Sequence, residues 1–166
     1  MGLGYVFLYY FSMEITKLPE EILGGKITLA EQEDIKNGKY AGLISDMKKA
    51  MLDNKGVGLA ANQIGTDVAV FVIDEKLAEE NKVPSAYFNP EITEYSKDSD
   101  ELEEGCLSIP DWYKPVARSK KIMFKAIDEE GDKVKFRARG FLARVLQHET
   151  DHLNGLTIRD RTKIKS

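Results

Sequence analysis

This chain of 166 residues contains only one cysteine, two histidines and one tryptophan. A single cysteine excludes an internal disulfide, which is typical of proteins from a reducing compartment. No apolar run approaches the ~20 residues needed to cross a bilayer, so we predict no transmembrane helix. A formal net charge of −4 argues against general binding to nucleic acids or anionic membranes.

The N-terminal segment is the most apolar part of the chain. Residues 2–11 lack the basic start and small-residue cleavage site of a secretory signal, and their aromatic content predicts a short strand instead. Residues 1–12 are either an upstream extension, with Met13 as the natural start, or part of the fold. A chain of this size is expected to form one catalytic domain over residues 1–166, because it can bury a core without cross-links.

Apolar periodicity predicts an α+β fold of mostly antiparallel strands around a central helix, with another helix near the N-terminus. Residues 19–38 and the acidic stretch 97–104 are predicted to be loops. The tail from 156 to 166 is short and basic. One predicted helix begins at Lys39 and ends at Gly56, which would form a left-handed cap, and a second begins at Phe141. The predicted strands cover 67–73, 86–94, 121–127 and 133–138, and Pro90 interrupts the second of them.

A glycine-rich segment from Gly56 to Gly65 carries the pattern G-x-G-x-x-A. A dinucleotide-binding loop follows a strand and opens a helix, whereas this segment follows a helix and precedes a strand. Two interpretations therefore remain, a structural turn or an active-site loop whose backbone approaches a ligand.

The chain's only two histidines lie four residues apart, in the pattern H-E-x-x-H formed by His148, Glu149 and His152. On a helix this spacing puts both imidazoles on one face, where they can bind one metal ion. A catalytic site needs a third protein ligand. The candidates are the only cysteine, Cys106, or a carboxylate such as the downstream Asp160, and thiolate chemistry favours Cys106.

These residues together describe the hydrolysis of an amide carbonyl. Glu149 can take the proton of a water on the metal and deliver it to the leaving amine. The Gln63 side chain and the Leu107 backbone N–H are candidate donors to the oxyanion that forms. We also predict that Glu104 pairs with Arg118 and supports the Cys106 loop.

Three segments jointly resemble the peptide deformylase family: Gly56–Gln63, Glu104–Ser108 and His148–His152. The resemblance implies removal of the N-formyl group from the initiator methionine of new polypeptides, with release of formate. It implies Cys106, His148 and His152 as ligands of one divalent ion, characteristically Fe²⁺, which Zn²⁺, Ni²⁺ or Co²⁺ can replace. It also implies that Val57, Gly58 and Gly105 bind the peptide through their backbones, with Phe141 and Val145 lining the methionine pocket.

The expected partners are N-formylmethionyl nascent peptides and the ribosome surface, with no specific nucleic acid, no membrane and a monomeric state. The expected location is cytoplasmic and bacterial-type, with an organelle as the alternative. Three other functions are weighed: an enzyme for another N-acyl group, a structural or sensory metal domain, and an endoprotease. The endoprotease is disfavoured because no glutamate follows Glu149 to serve as its third ligand.

Overall fold

The computed structural model describes residues 13–163, so the strand predicted at residues 2–11 lies outside the described range. Within that range, no helix is at once apolar and long enough to cross a membrane. The predicted α+β class is confirmed: antiparallel strands form two sheets, and helices pack against them.

The larger sheet has five strands, and every neighbouring pair is antiparallel. Their order across the sheet is β1 (Gly58–Ala60), β2 (Val70–Ile73), β3 (Ala86–Tyr95), β6 (Lys121–Ile127) and β7 (Lys133–Arg139). Helices cover both faces of this sheet, so that β2 is fully buried, as its uninterrupted apolar run predicted.

Helices α2 (Ala41–Asp53) and α4 (Gly140–Leu153) pack on opposite faces of this sheet. The α2 side chains Met47 and Met51 share a core with Leu59 and Val70. The α4 core is larger and includes a group of four rings from the strands, namely Phe71, Tyr87, Phe124 and Phe136. The helix with the H-E-x-x-H motif is therefore a core element, as its apolar stripes predicted.

The smaller sheet is a hairpin of β4 (Ser99–Cys106) and β5 (Ile109–Ser119). Cys106 is the last residue of β4, and the two-residue turn after it contains Leu107. Helix α5 (Ile158–Lys163) packs on this hairpin through Ile158, which contacts the core formed with Val116. This hairpin brings the cysteine to the α4 histidines.

Two predicted loops were wrong. The acidic stretch 97–104 forms most of β4, because it pairs with β5 while its charged side chains, except for the buried Glu104, remain outside the core. Residues 19–38 contain a 3₁₀ helix, Glu21–Leu23, and helix α1, Gln32–Lys36. Elements this short bury too few apolar side chains to produce a periodic pattern, and the same reason explains why α3 (Glu75–Asn81) was missed.

The cap predicted after α2 was also wrong in detail. Lys55, not Gly56, has the left-handed conformation, with φ of 57°. Gly56 is needed for space instead, because an added Cβ would lie 2.9 Å from Cδ1 of Leu107. The notch predicted in β3 is confirmed, since the ladder with β6 shifts between Phe88 and Glu91, around Pro90.

Candidate metal centre and active site

The three predicted metal ligands lie together. Nε2 of His152 is 3.2 Å from Nε2 of His148 and 3.2 Å from Sγ of Cys106. All the ligand atoms fall within 4.8 Å of one another. The histidines come from adjacent turns of α4 and the cysteine from the end of β4, so two separate elements must be held in register to form the cluster.

These distances suit one tetrahedral ion. At ordinary Zn–N and Zn–S bond lengths, two nitrogens on one ion lie about 3.3 Å apart, and a sulfur lies about 3.6 Å from a nitrogen. The observed separations of 3.2 Å are close to both values. One thiolate and two imidazoles are also a donor set that Zn²⁺ or Fe²⁺ accepts. The residues therefore fit a divalent metal.

A buried network of charged groups holds His148 through Nδ1, the ring nitrogen that does not face the metal cluster. Nδ1 of His148 lies 3.0 Å from Oε2 of Glu104. The predicted pairing of Glu104 with Arg118 is confirmed, with contacts of 2.9 and 3.0 Å. Arg118 continues to Asp151 at 2.5 Å, and Asp151 pairs with Arg161 at the surface. A histidine ligand whose second nitrogen is held by a carboxylate has a fixed ring orientation.

Charge in this network shifts several pKa values. Burial acts to raise the pKa of Glu104, but hydrogen bonds from His148 and Arg118 outweigh it and hold that pKa well below its usual range. Burial acts to lower the pKa of His148, but contacts with Cys106 and Glu104 raise it to about 10. The pKa of His152 is lowered, mainly by burial and then by the neighbouring His148. The groups around His148 therefore favour a positive charge at that position, whereas those around His152 disfavour one.

Glu149 is buried between the histidines' helix and strand β1, with 3% of its surface exposed. Its Oε2 has no hydrogen-bond partner among the described residues. Burial raises its pKa to about 7. Gly58 leaves room for this carboxylate, because a Cβ at Gly58 would lie 2.7 Å from Cδ of Glu149.

Gln63 is aimed at the cluster by its own backbone neighbourhood. It lies in the 3₁₀ helix Ala61–Ile64, and its Oε1 accepts the N–H of Ala60 at 3.0 Å. The amide nitrogen therefore points the other way, towards Ser108 Oγ at 3.1 Å and Cys106 Sγ at 3.7 Å. The glycine-rich segment therefore lies beside the metal cluster, which favours the active-site interpretation over a purely structural turn.

A cavity of about 580 Å³ opens onto these groups. Strand β1 is an edge strand of the larger sheet and borders the cavity, as does the end of β4. Phe141, 56% exposed, and Val145 also line this cavity, and their role at a methionine pocket stays a prediction. The other predicted site residues on the wall are Val57, Gly58, Gln63, Gly105, Cys106, Leu107, His148 and Glu149.

Sequence reasoning missed four polar or aromatic residues at the site. Ser108 contacts Gln63, Tyr113 lies against Gly105, and Arg144 and Asp151 belong to the Glu104 network. One signal could have found the last two, because Arg144 and Asp151 are charged positions on a helix that is apolar around much of its surface. Charged side chains buried on such a helix must be paired.

Comparison with known proteins gives a consistent result. The sequence model described as "Polypeptide deformylase" matches residues 12–166. A peptide deformylase of Dictyoglomus turgidum is 44% identical over 150 residues, covering 90% of this chain and 92% of the relative.

Solved structures agree with this. The crystal structure of a peptide deformylase from Thermotoga maritima superposes with a TM-score of 0.81 at 35% identity, over 90% of this chain and 96% of the other. A Met-Ala-Ser-bound peptide deformylase from Acinetobacter baumannii gives 0.80 at 30% identity, over 90% and 97%.

Proposed function

The chain belongs to the polypeptide deformylase family, and on that premise we propose that it removes the N-formyl group from the N-terminal methionine of new polypeptides. The products are formate and a peptide with a free amino terminus. The observation that carries this proposal is the Cys106, His148 and His152 cluster facing a cavity that also contains Glu149 and Gln63.

Cys106, His148 and His152 would hold one divalent ion. Its chemistry is that of a Lewis acid, which polarises a carbonyl and lowers the pKa of a water molecule. We propose Fe²⁺ as the native ion, with Zn²⁺, Ni²⁺ or Co²⁺ as replacements. The donor set supports a soft divalent cation over Mg²⁺ or Ca²⁺, which prefer oxygen ligands.

Glu149 would carry the proton. As a water molecule adds to the formyl carbon, one proton of that water passes to the Glu149 carboxylate. The C–N bond then breaks, and Glu149 gives this proton to the amine nitrogen that leaves. A pKa raised to about 7 suits this role, because a group that both accepts and donates works best near the operating pH. Burial also keeps bulk water away from the carboxylate.

Gln63 and the Leu107 N–H would stabilise the carbonyl oxygen as it becomes negative. The contact from Ala60 N–H to Gln63 Oε1 fixes the amide, so its NH₂ group needs little rearrangement when the charge develops. Leu107 borders the same cavity directly after Cys106.

An extended peptide would lie between β1 and β4. Strand β1 is at the edge of the larger sheet, and Gly58, the preceding Val57 and Gly105 at the end of β4 all border the cavity, where their free backbone groups would bind a strand-like ligand. Binding of Met-Ala-Ser by the A. baumannii relative supports such a ligand. Phe141 and Val145 would contact the methionine side chain. We further propose a monomer that meets nascent chains at the ribosome surface in the cytoplasm.

The test is release of formate from formyl-Met-Ala-Ser by anaerobically prepared protein loaded with Fe²⁺, or with Ni²⁺ or Zn²⁺ in parallel. We expect turnover by the parent chain and a loss of at least about 100-fold in Glu149→Gln, because general base catalysis contributes about that much. Glu103→Gln, which changes another glutamate on the cavity wall, is the matched control.

Acetyl-Met-Ala-Ser and unformylated peptides separate the remaining alternatives. Turnover of the acetyl peptide at the rate of the formyl peptide would point to a general N-acyl hydrolase, and internal cleavage of an unformylated peptide to an endoprotease. If the metal-loaded parent and Glu149→Gln both release no formate, the proposed function is wrong.

A further inference from the structure

Arg144 is a buried cation to which the proposed mechanism gives no role. It lies on α4 four residues before His148, and only 5% of its surface is exposed. A buried arginine is costly unless its charge and its N–H groups are paired. Its partners therefore indicate what it does.

The guanidinium of Arg144 joins α4 to both strands of the β4–β5 hairpin. Nη1 donates to Glu104 Oε1 at 2.6 Å and to the Val116 carbonyl at 2.9 Å. Nη2 donates to the carbonyl and the carboxylate of Asp100, at 3.0 and 2.6 Å. Four contacts shared by the two terminal nitrogens require the fork of an arginine and cannot be reproduced by a point charge.

These contacts complete the surroundings of Glu104. Its Oε1 accepts from Arg118 and Arg144, and its Oε2 from Arg118 while lying 3.0 Å from Nδ1 of His148. Each oxygen therefore has two partners, and the carboxylate has no free direction in which to turn. The ring orientation of His148 depends on that carboxylate.

Arg144 and Asp151 also flank His148 on its own helix. Arg144 binds the hairpin from the N-terminal side of His148, and Asp151 binds it through Arg118 from the C-terminal side. Because the hairpin carries Cys106 and the helix carries both histidines, these two sets of contacts fix the distance between the ligands.

We infer that Arg144 is a positioning residue for the metal centre: it fixes Glu104, and through Glu104 the His148 ring, while holding the Cys106 strand against α4. The inference rests on the proposed function for its relevance to turnover, but its effect on metal binding can be measured separately. Arg144 touches no reacting atom in this account.

The experiment compares Arg144→Met and Arg144→Lys with the parent, using Arg137→Met as the matched control because Arg137 is exposed on β7. Zinc affinity is measured by chelator competition, and the Co²⁺ absorption spectrum reports on ligand geometry. kcat and KM are measured with formyl-Met-Ala-Ser. Circular dichroism establishes that each variant is folded.

We expect Arg144→Met to weaken zinc binding by about 10- to 100-fold, the usual cost of losing a partner of a metal ligand. The Co²⁺ spectrum should shift, and kcat should fall while KM stays within about twofold. Arg144→Lys should lie between the parent and Arg144→Met, since lysine restores the charge but not the four contacts. Arg137→Met should match the parent in every measurement.

Parental zinc affinity in folded Arg144→Met would overturn the inference and leave Arg144 a purely structural residue. A rise in KM alone would also overturn it, because that result describes a substrate contact. If Arg144→Met does not fold, folded Arg144→Lys decides, and parental zinc affinity there refutes the four-contact role. A parent that binds zinc but releases no formate would refute the proposed function and leave the effect of Arg144 on zinc affinity intact.

Discussion

Replacing Gly58 with alanine should displace the carboxylate that we propose as the proton carrier. An added Cβ would lie 2.7 Å from Cδ and 2.9 Å from Cγ of Glu149, whereas ordinary contact begins at 3.4 Å. Glu149 must therefore move by at least about 0.7 Å, the difference between ordinary contact and the Cδ distance, because its Oε1 would lie closer still. It has little room to do so, because it is almost completely buried.

The expected loss follows from this displacement. A misplacement of about 1 Å in a reacting group costs roughly 10²-fold in rate. A shift of about 0.7 Å should therefore lower kcat by about 30- to 100-fold, equivalent to roughly 2 to 2.7 kcal/mol in the barrier. The three atoms nearest an added Cβ at Gly58 all belong to Glu149 and none to a metal ligand, so bound zinc should stay at one ion per chain.

The assay is formate release from formyl-Met-Ala-Ser at saturating peptide, together with the zinc content of the same sample. Gly42→Ala is the matched control, because Gly42 lies exposed in α2 with nothing within 4 Å of an added Cβ. That change should keep parental activity and stabilise the helix by about 0.5–1 kcal/mol. Parental kcat in fully loaded Gly58→Ala would refute the reasoning, as would a change confined to KM.

Three further outcomes concern stability. Arg118→Ala should cost about 3 kcal/mol in the free energy of unfolding, the lower end of the range for a broken buried pair, because Glu104 keeps Arg144 and Asp151 keeps Arg161. Urea denaturation measures this, and a loss no larger than that of the exposed Lys125→Ala would contradict it. Removing zinc with a chelator should lower the melting temperature, since zinc at 100 times its Kd adds about 2.7 kcal/mol; His152→Ala should abolish the difference, and a chelator effect that persists in His152→Ala would contradict it. Acid should weaken the metal-free fold through Glu104, whose folded pKa is depressed. The stability that Glu104 contributes is present above its unfolded pKa of about 4.3 and is lost as pH falls towards the depressed folded pKa. Glu104→Gln should therefore lose less stability between pH 6 and 3 than the parent, and equal losses in the two proteins would contradict this.

Local patterns predicted the elements with enough apolar residues to be periodic. The buried strand β2, the β6–β7 hairpin and helices α2 and α4 all have such patterns, and each was confirmed. The acidic strand β4 was missed because its stability comes from pairing with β5, and from the burial of Glu104 against residues distant in sequence. Such pairing leaves no local apolar signal.

The sequence by itself determined the candidate metal ligands, because the chain's only two histidines and only cysteine leave few other ligand sets. Only the tertiary structure decided how those ligands are supported. Glu104 receives two arginines from different elements, and the Gln63 amide meets Ser108 and Cys106 across the cluster. Contacts of this kind join residues up to 45 positions apart. They depend on how the hairpin docks on α4, which no spacing within either segment encodes.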